Sequence, residues 1–319
     1  MSDNSNIQSI KVGKIEWVHI AKSGKKEINH LRRRFGLHPV DLHETLPPLQ
    51  RPKLVVRDGY LFMILLYPVF DRQTKAVYAS EVDFFIHPDR LITVNHDGLE
   101  PLHQIFKAHG KDRDISDGRT AVNHQMPDTI EDVTHLLYLI LNAQLEAIFP
   151  MIIHLSNDID NIERHVFKEF EKNLIQELLR VKTNIVNVRK AIQGHKTVIR
   201  RLIDGSGTRF PIHKLEIYFE RLVEHTKELW DTLENQRDTI NALHEANMSL
   251  IDFRINEIMK VLTVFATIVF PLTLLAAIFG MNAPNMPFVG HPLGFWMIIG
   301  IMAVGSMGML AIFKLKKWI

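Results

Sequence analysis

No cysteine occurs among the 319 residues. Disulfides, thiolate metal sites and thiol nucleophiles are excluded together, and the redox compartment is left open. The opening Met1-Ser-Asp-Asn-Ser-Asn has no apolar run behind it, so no cleavable secretory signal is read and the N-terminal part is expected on the cytoplasmic side. A phosphate-binding glycine loop, a metal-protease signature and a paired nucleophile and base are also missing, so neither an enzyme nor a covalently bound cofactor is expected. A formal net charge of +2 supplies no argument for a nucleic-acid partner, and none is expected. The 17 histidines are scattered, without chelating spacing. His87, His96 and His103 are three that folding could bring together. Arg32-Arg33-Arg34 reads as a solvated helix face.

The decisive absence is of charge. From Val261 to Phe313 there is no Asp, Glu, Lys or Arg, and His291 is the one titratable side chain. Two apolar runs fill this stretch, 261–279 and 293–313. At about 1.5 Å per helical residue each is roughly 30 Å long, which matches a hydrocarbon core of about 30 Å. Neither has a polar face, which argues against a buried pair of core helices. Arg254 and Lys260 precede the first run, Lys314, Lys316 and Lys317 follow the second, and the connection at 280–292 has no Lys or Arg. Basic flanks stay in the cytoplasm, so both termini are expected inside and 280–292 outside, in a multi-pass membrane protein surrounded by lipid.

Residues 1–125 read as a cytoplasmic α/β domain. Ile15–Ile20, Leu54–Val56, Tyr60–Leu66, Glu81–Ile86 and Arg90–Val94 are β-prone runs, punctuated by the turn signals Asp58-Gly59 and Pro88-Asp89. Lys26–Phe35 and Pro39–Thr45 read as helices. Residues 126–210 turn to long helical segments. Asp128 is a candidate cap for the first, whose apolar face runs from Ile130 to Leu145. A second runs from Glu171 to Ile203 and is broken by Asp204-Gly205-Ser206-Gly207. Pro211 suits the first turn of a last helix, a stalk over 211–260 that continues into the first span. Leu222, Leu229, Leu233, Ile240, Leu243 and Leu250 form one stripe facing a neighbour. An unbroken helix over 212–279 would be ~100 Å long, more than one globular domain buries, so bundling with copies of itself is expected.

Two spans cannot enclose an ion path, so a pore requires several copies around an axis. In its motifs the chain resembles the CorA family of magnesium and cobalt channels. The resemblance rests on Asn256-Glu257-Ile258-Met259-Lys260-Val261-Leu262-Thr263, Pro271-Leu272-Thr273, Gly280-Met281-Asn282, Met286-Pro287 and the closing Lys316-Lys317-Trp318-Ile319, and further on Gln50-Arg51-Pro52-Lys53, Tyr60-Leu61-Phe62 and 84–94. It spans most of the chain and is firmest after Pro211. It implies a funnel-shaped homopentamer, with the long helix and first span lining the pore and the second span outside. Gly280, Met281 and Asn282 would form the selectivity filter. Met259, Leu262, Ala266, Phe270, Thr273 and Ala277 step by 3, 4, 4, 3 and 4, as one helix face requires, with Asn256 one step below.

The chemistry is consistent with transported Mg²⁺, Co²⁺ or Zn²⁺. Mg²⁺ sheds water reluctantly, so a ring of Asn282 amide oxygens with carbonyls near Gly280 suits a hydrated ion held through its waters. Thr273 offers a polar ring, while Leu262 and Phe270 offer constrictions that gate by dewetting. Other readings stay open at single positions. Phe270 and Leu262 could face lipid or the second span, Thr273 could bond back to its own helix, and Asn282 could be a helix C-cap. A zinc transporter of the same superfamily, coupled to protons, is the alternative function. A membrane-anchored sensor or scaffold is the alternative of another class.

Two departures from the family pattern stand out. The outer loop has no acid between Gly280 and Lys314, so no carboxylate ring concentrates cations there. The family's regulatory carboxylates sit between subunits. Glu44, in His38-Pro39-Val40-Asp41-Leu42-His43-Glu44, matches one of them, but the other falls on Arg221. A pairing of Arg221 with Glu44 of the adjacent subunit, its fixed charge standing in for a metal, is expected. A solvated surface arginine is the alternative.

Overall fold

The computed structural model describes residues 6–21, 23–110, 130, 132–166, 172–205, 210, 212–281, 287–288 and 291–318. The chain divides into two compact units, Met1–Leu243 and His244–Ile319.

The first unit is built on a six-stranded mixed sheet. Its strands are β1 (Ile7–Val12), β2 (Ile15–Ile20), β3 (Lys53–Val56), β4 (Leu61–Asp71), β5 (Ala76–Ile86) and β6 (Arg90–Asn95), in the order β1-β2-β6-β5-β4-β3. Among the described strands only β2 and β6 run parallel. Between β1 and β2 the turn uses Gly13 at φ +60, where an added Cβ would lie 2.8 Å from the carbonyl oxygen of Ile130. One sheet face is closed by α1 (Lys25–Phe35) and α2 (Pro39–Glu44), whose Leu31 and Leu42 pack with Ile20, Phe62, Ile64, Phe85 and Val94. The other face takes α3 (Glu100–Gly110), α4 (Val133–Glu146), α6 (Lys172–Ile192) and α7 (His195–Gly205). Trp17 meets Phe106 edge-on at 4.9 Å across that layer. A sheet covered on both sides explains why β4 to β6 are nearly continuous in apolar residues.

Several sequence expectations are extended or corrected. Strand β1 escapes sequence reading because polar residues interrupt its Ile7, Ile10 and Val12, and pairing with β2 makes it a strand. Strand β4 runs past Leu66 through Pro68, a residue that usually ends a strand. β3 reaches only as far as Ile64, so Pro68 has no neighbour on that side to miss its N–H. Helix α3 was unforeseen. Asp132 caps α4, accepting from the His135 N–H at 2.9 Å, whereas Asp128 lies outside the described residues. The single helix expected over 171–203 is two, α6 and α7, parted near Gly194. A Cβ there would sit 2.4 Å from Pro52, so only glycine lets the junction close on that ring. Asn184 and Asn187 on α6 bind the backbone of Lys75 and Val77 and fix α6 to the end of the β4–β5 hairpin.

The last long helix opens with a 3₁₀ turn, Ile212–Leu215, and continues as α8, Glu216–Phe279; Pro211 lies outside the described residues. Most of its leucine stripe is covered by this chain itself. Leu222, Leu229, Leu233 and Ile240 are fully buried within the first unit. Gln236 donates to the Ile152 carbonyl (2.9 Å) and to Ser156 (2.6 Å) on α5 (Ile148–Val166). Arg189 of α6 pairs with Glu234 and lies 4.6 Å over the Trp230 ring.

The second unit holds the end of α8 and α9 (Gly294–Leu315). Among the described residues, three helical stretches are long and apolar enough to cross a membrane. Val133–Val166 is 56% buried inside the protein, against 6% for the apolar window of α8 and 0% for α9. The first therefore has a protein partner for its apolar side chains, and the other two expose theirs.

Candidate functional site

Around α8 the side chains sort by exposure. Val264 is buried, and Ile268, Leu272, Leu275 and Phe279 are partly covered, at spacings of 4, 4, 3 and 4. At 100° per residue these lie opposite Met259, Leu262, Phe270, Thr273 and Ala277. The latter are exposed, Phe270 to 71%, and Ala266 among them is partly covered. Asn256, one step below, is exposed too. Exposure is not confined to that stripe, since Val261, Phe265 and Leu274 are exposed as well and 6% of the apolar window of α8 is buried. Leu262 sits at the edge of the stripe, bordering a hollow it shares with Phe265 and Trp318.

The polar groups are fewer than residue types suggest. Thr273 donates its hydroxyl to the Val269 carbonyl at 2.9 Å, the local bond that sequence reading left open. Its oxygen lone pairs remain to accept from a water. At the helix end Gly280 donates to the Ala276 carbonyl at 2.9 Å and Met281 to that of Ile278 at 3.1 Å, so the last turn tightens. Gly280 is not in the left-handed region. A Cβ there would stand 3.1 Å from the Ala276 oxygen, a tight contact that a shift of a few tenths of an ångström would relieve. Asn282 lies outside the described residues. At the other end, Lys260 donates to the Lys317 carbonyl at 3.2 Å, which brings the basic flanks of the two apolar helices together.

The match to known proteins covers this whole arrangement. The family described as CorA-like Mg²⁺ transporter protein matches residues 12–317. The chain belongs to the CorA-like Mg²⁺ transporter family. The cobalt/magnesium transport protein CorA of Thermotoga maritima is 27% identical over 309 residues, 95% of this chain and 83% of that protein. The complete structure of the CorA magnesium transporter from Methanocaldococcus jannaschii superposes with a TM-score of 0.81 at 21% identity, covering 98% of this chain and 94% of the other. The ZntB cytoplasmic domain from Vibrio parahaemolyticus shares the fold, with a TM-score of 0.59 at 11% identity over 76% of this chain and 89% of the other. CorA-like proteins are membrane transporters and not enzymes, and the two exposed apolar helices fit that placement.

Outside the apolar helices, the two candidate regulatory residues are apart within one chain. Glu44 is paired with Lys53 at 2.5 Å. Arg221 is exposed and reaches His225 at 3.5 Å. The three histidines do not converge either. His87 stacks on Tyr60, His96 bonds Ser23 and the Thr45 carbonyl, and His103 meets His19 edge-on. Among the described residues no group of three or more His, Asp or Glu is placed to hold a metal.

Sequence reasoning missed two buried polar clusters. Asp41 is fully buried and accepts from Arg57 Nε (2.9 Å), Arg57 Nη2 (2.5 Å) and the Tyr60 hydroxyl (2.6 Å). Burial alone would raise its pKa, but these donors hold it below the ordinary value. The same burial, with Asp41 alongside, pushes Tyr60 up to about 12. The second cluster is Glu81 with Asp83, both buried on β5. An acid two residues from another in a strand was the available signal, since such residues share a face.

Proposed function

We propose that this chain is one subunit of a homopentameric channel for hydrated divalent cations, Mg²⁺ or Co²⁺, in the cell's inner membrane, with both termini in the cytoplasm. The observation that carries it is the stripe from Met259 to Ala277, one face of α8 that mixes small, polar and apolar residues and is exposed at all but Ala266. A mere anchor has no need of a face mixing small, polar and apolar residues. Five such faces around an axis would enclose a path no single chain can. The Thr273 oxygens would offer a ring of acceptors to the ion's waters, and Phe270 and Leu262 the apolar constrictions that gate it. Gly280, Met281 and Asn282 would meet the ion at the outer mouth. With no carboxylate in that mouth, neutral oxygens would hold the hydrated ion loosely enough for release. A membrane potential drives inward movement without ATP, at about 2.3 kcal/mol per charge per 100 mV, or roughly 4.6 kcal/mol for a divalent ion.

The test is flux into liposomes holding the purified chain, with Mg²⁺, Co²⁺ and Zn²⁺ compared with and without a proton gradient. Mg²⁺ and Co²⁺ entry driven by potential alone is expected. Zn²⁺ entry that requires the proton gradient would favour the zinc alternative, and absence of flux would leave an anchored sensor or scaffold.

Glu44 and Arg221 would regulate by ion pairing between neighbouring subunits, Arg221 supplying a fixed positive charge. Glu44 already holds Lys53, so the two cations compete for one carboxylate. Wild type is expected to stay open as internal Mg²⁺ rises, and Arg221→Asp to acquire Mg²⁺-dependent closure. Equal closure of both by internal Mg²⁺ would end this reading.

A further inference from the structure

The Glu81–Asp83 pair has no part in the conducting face, and its surroundings pose a problem of charge. Asp83 is 1% exposed and Glu81 5%. Across the sheet Asp83 stands opposite Ile64 on one side and Val94 on the other, both fully buried and apolar. Among the described residues neither carboxylate oxygen of Asp83 meets a donor. The donors near Asp83 are committed to other acceptors. From β3, Lys53, which pairs across with Ile64, gives its ammonium to Glu44 at the end of α2. From the segment between them, the Gln50 N–H goes to Glu81. From the end of β6, His96 contacts the Thr45 carbonyl at 2.8 Å and Ser23 at 3.0 Å. The polar group within hydrogen-bonding reach of Asp83 is the Glu81 carboxylate, itself an acceptor.

Two ionised carboxylates face to face in an apolar layer repel, and a buried carboxylate without donors costs several kcal/mol. A metal ion is not the remedy, since the described residues offer no cluster able to hold one. A proton resolves both difficulties. As an acid, Asp83 donates to Glu81, while Glu81 stays ionised and keeps the Gln50 N–H. If that proton leaves, the nearest cation able to compensate Asp83 is Lys53, which must then turn away from Glu44.

We infer that Asp83 and Glu81 share one buried proton at neutral pH, and that its loss draws Lys53 off Glu44, a proton-operated switch on the segment 44–53. Burial first, then Glu81, holds the Asp83 pKa well above its ordinary 3.8. The folded chain therefore binds this proton more tightly than the unfolded one. The stability it contributes is complete below 3.8 and declines as pH rises toward the raised value. Resting on the proposed pairing of Glu44 with Arg221, release of Lys53 would free Glu44 for the neighbouring subunit, so alkaline pH would strengthen that contact.

The full chain in detergent provides the test. Infrared spectra at neutral pH are expected to show a protonated-carboxyl band in wild type that disappears in Asp83→Asn and in Glu81→Gln, because either amide supplies the missing donor without a proton. Amide exchange in the peptide covering 45–54 is expected to accelerate on alkalinisation by roughly tenfold more than intrinsic base catalysis in wild type, equivalent to about 1.4 kcal/mol, and to follow intrinsic catalysis alone in Asp83→Asn. A wild type without the band, a band that survives both substitutions, or equal exchange in wild type and variant would overturn the switch. Should the band and the exchange behave as stated in a chain that conducts no cation, the switch stands and the conduction reading falls.

Discussion

Asn282→Leu is expected to reduce Mg²⁺ flux at least about 100-fold. The outer connection has no acid between Gly280 and Lys314, so attraction of the ion cannot be spread over a carboxylate ring. On the proposed reading it falls to amide and backbone oxygens, each accepting a hydrogen bond from water polarised by the cation. Bonds of this charge-assisted kind contribute about 1.5–3 kcal/mol. Loss of even two from the ring amounts to roughly 3 kcal/mol, or about two decades in binding. Leucine has a similar volume, so the change removes acceptors without opening a hole, and an apolar ring at the narrowest point also favours dewetting. Potential-driven Mg²⁺ flux into liposomes is the measurement, with subunit assembly checked alongside. Flux equal to wild type would remove Asn282 from the filter and leave the pore to the stripe below it.

Arg57→Ala is expected to destabilise the first unit by about 3 kcal/mol and to reverse part of its pH dependence. Asp41 is fully buried beneath α2, with three of its accepted bonds coming from Arg57 and Tyr60. Removing the arginine leaves a buried charge with the Tyr60 hydroxyl as its remaining donor, the situation that costs about 3–5 kcal/mol in buried pairs. The lower figure applies because the Arg57 side chain is 31% exposed and water can replace part of it. In wild type the Asp41 pKa lies below its ordinary 3.8. Its contribution is therefore present above that value and lost as pH falls through the lower folded pKa. Without Arg57, burial dominates and raises the pKa, so the contribution of Asp41 then declines as pH rises. Urea unfolding of the full chain in detergent, followed through the buried Trp17 at several pH values, reads both effects. An unchanged midpoint, or a variant retaining the wild-type pH slope, would show that the pair is solvated and of little weight.

Membrane placement, the basic flanks and the two apolar runs were legible because each is a one-dimensional pattern. Bilayer thickness sets a run length, and 100° per residue sets the faces of α8. The core strands β2 to β6 were legible because a sheet buried on both sides must be apolar throughout. Strand β1, the β4 continuation through Pro68 and the division at Gly194 were not, because each depends on a segment distant in sequence. These are β2 for the first, the short reach of β3 for the second and Pro52 for the third. The leucine stripe of α8 was visible but its partner was not, and helices of the same chain cover most of it. Periodicity shows that a face is covered, not which chain supplies the cover.

The two sites divide in the same way. Gly280, Met281 and Asn282 are marked by order along the chain, the end of one apolar run beside a connection without charge. Composition and spacing decide that, so the sequence alone marked the two apolar runs and the connection where the outer mouth is proposed. Nothing local to Asp41 or Asp83 separates them from surface acids. Asp41 became an ionised anchor because Arg57 and Tyr60 fold onto it. Asp83 became a candidate proton carrier because among the described residues neither of its oxygens meets a donor. Only the tertiary structure decides how much water and how many donors a carboxylate meets, and those two quantities determine whether it holds its charge.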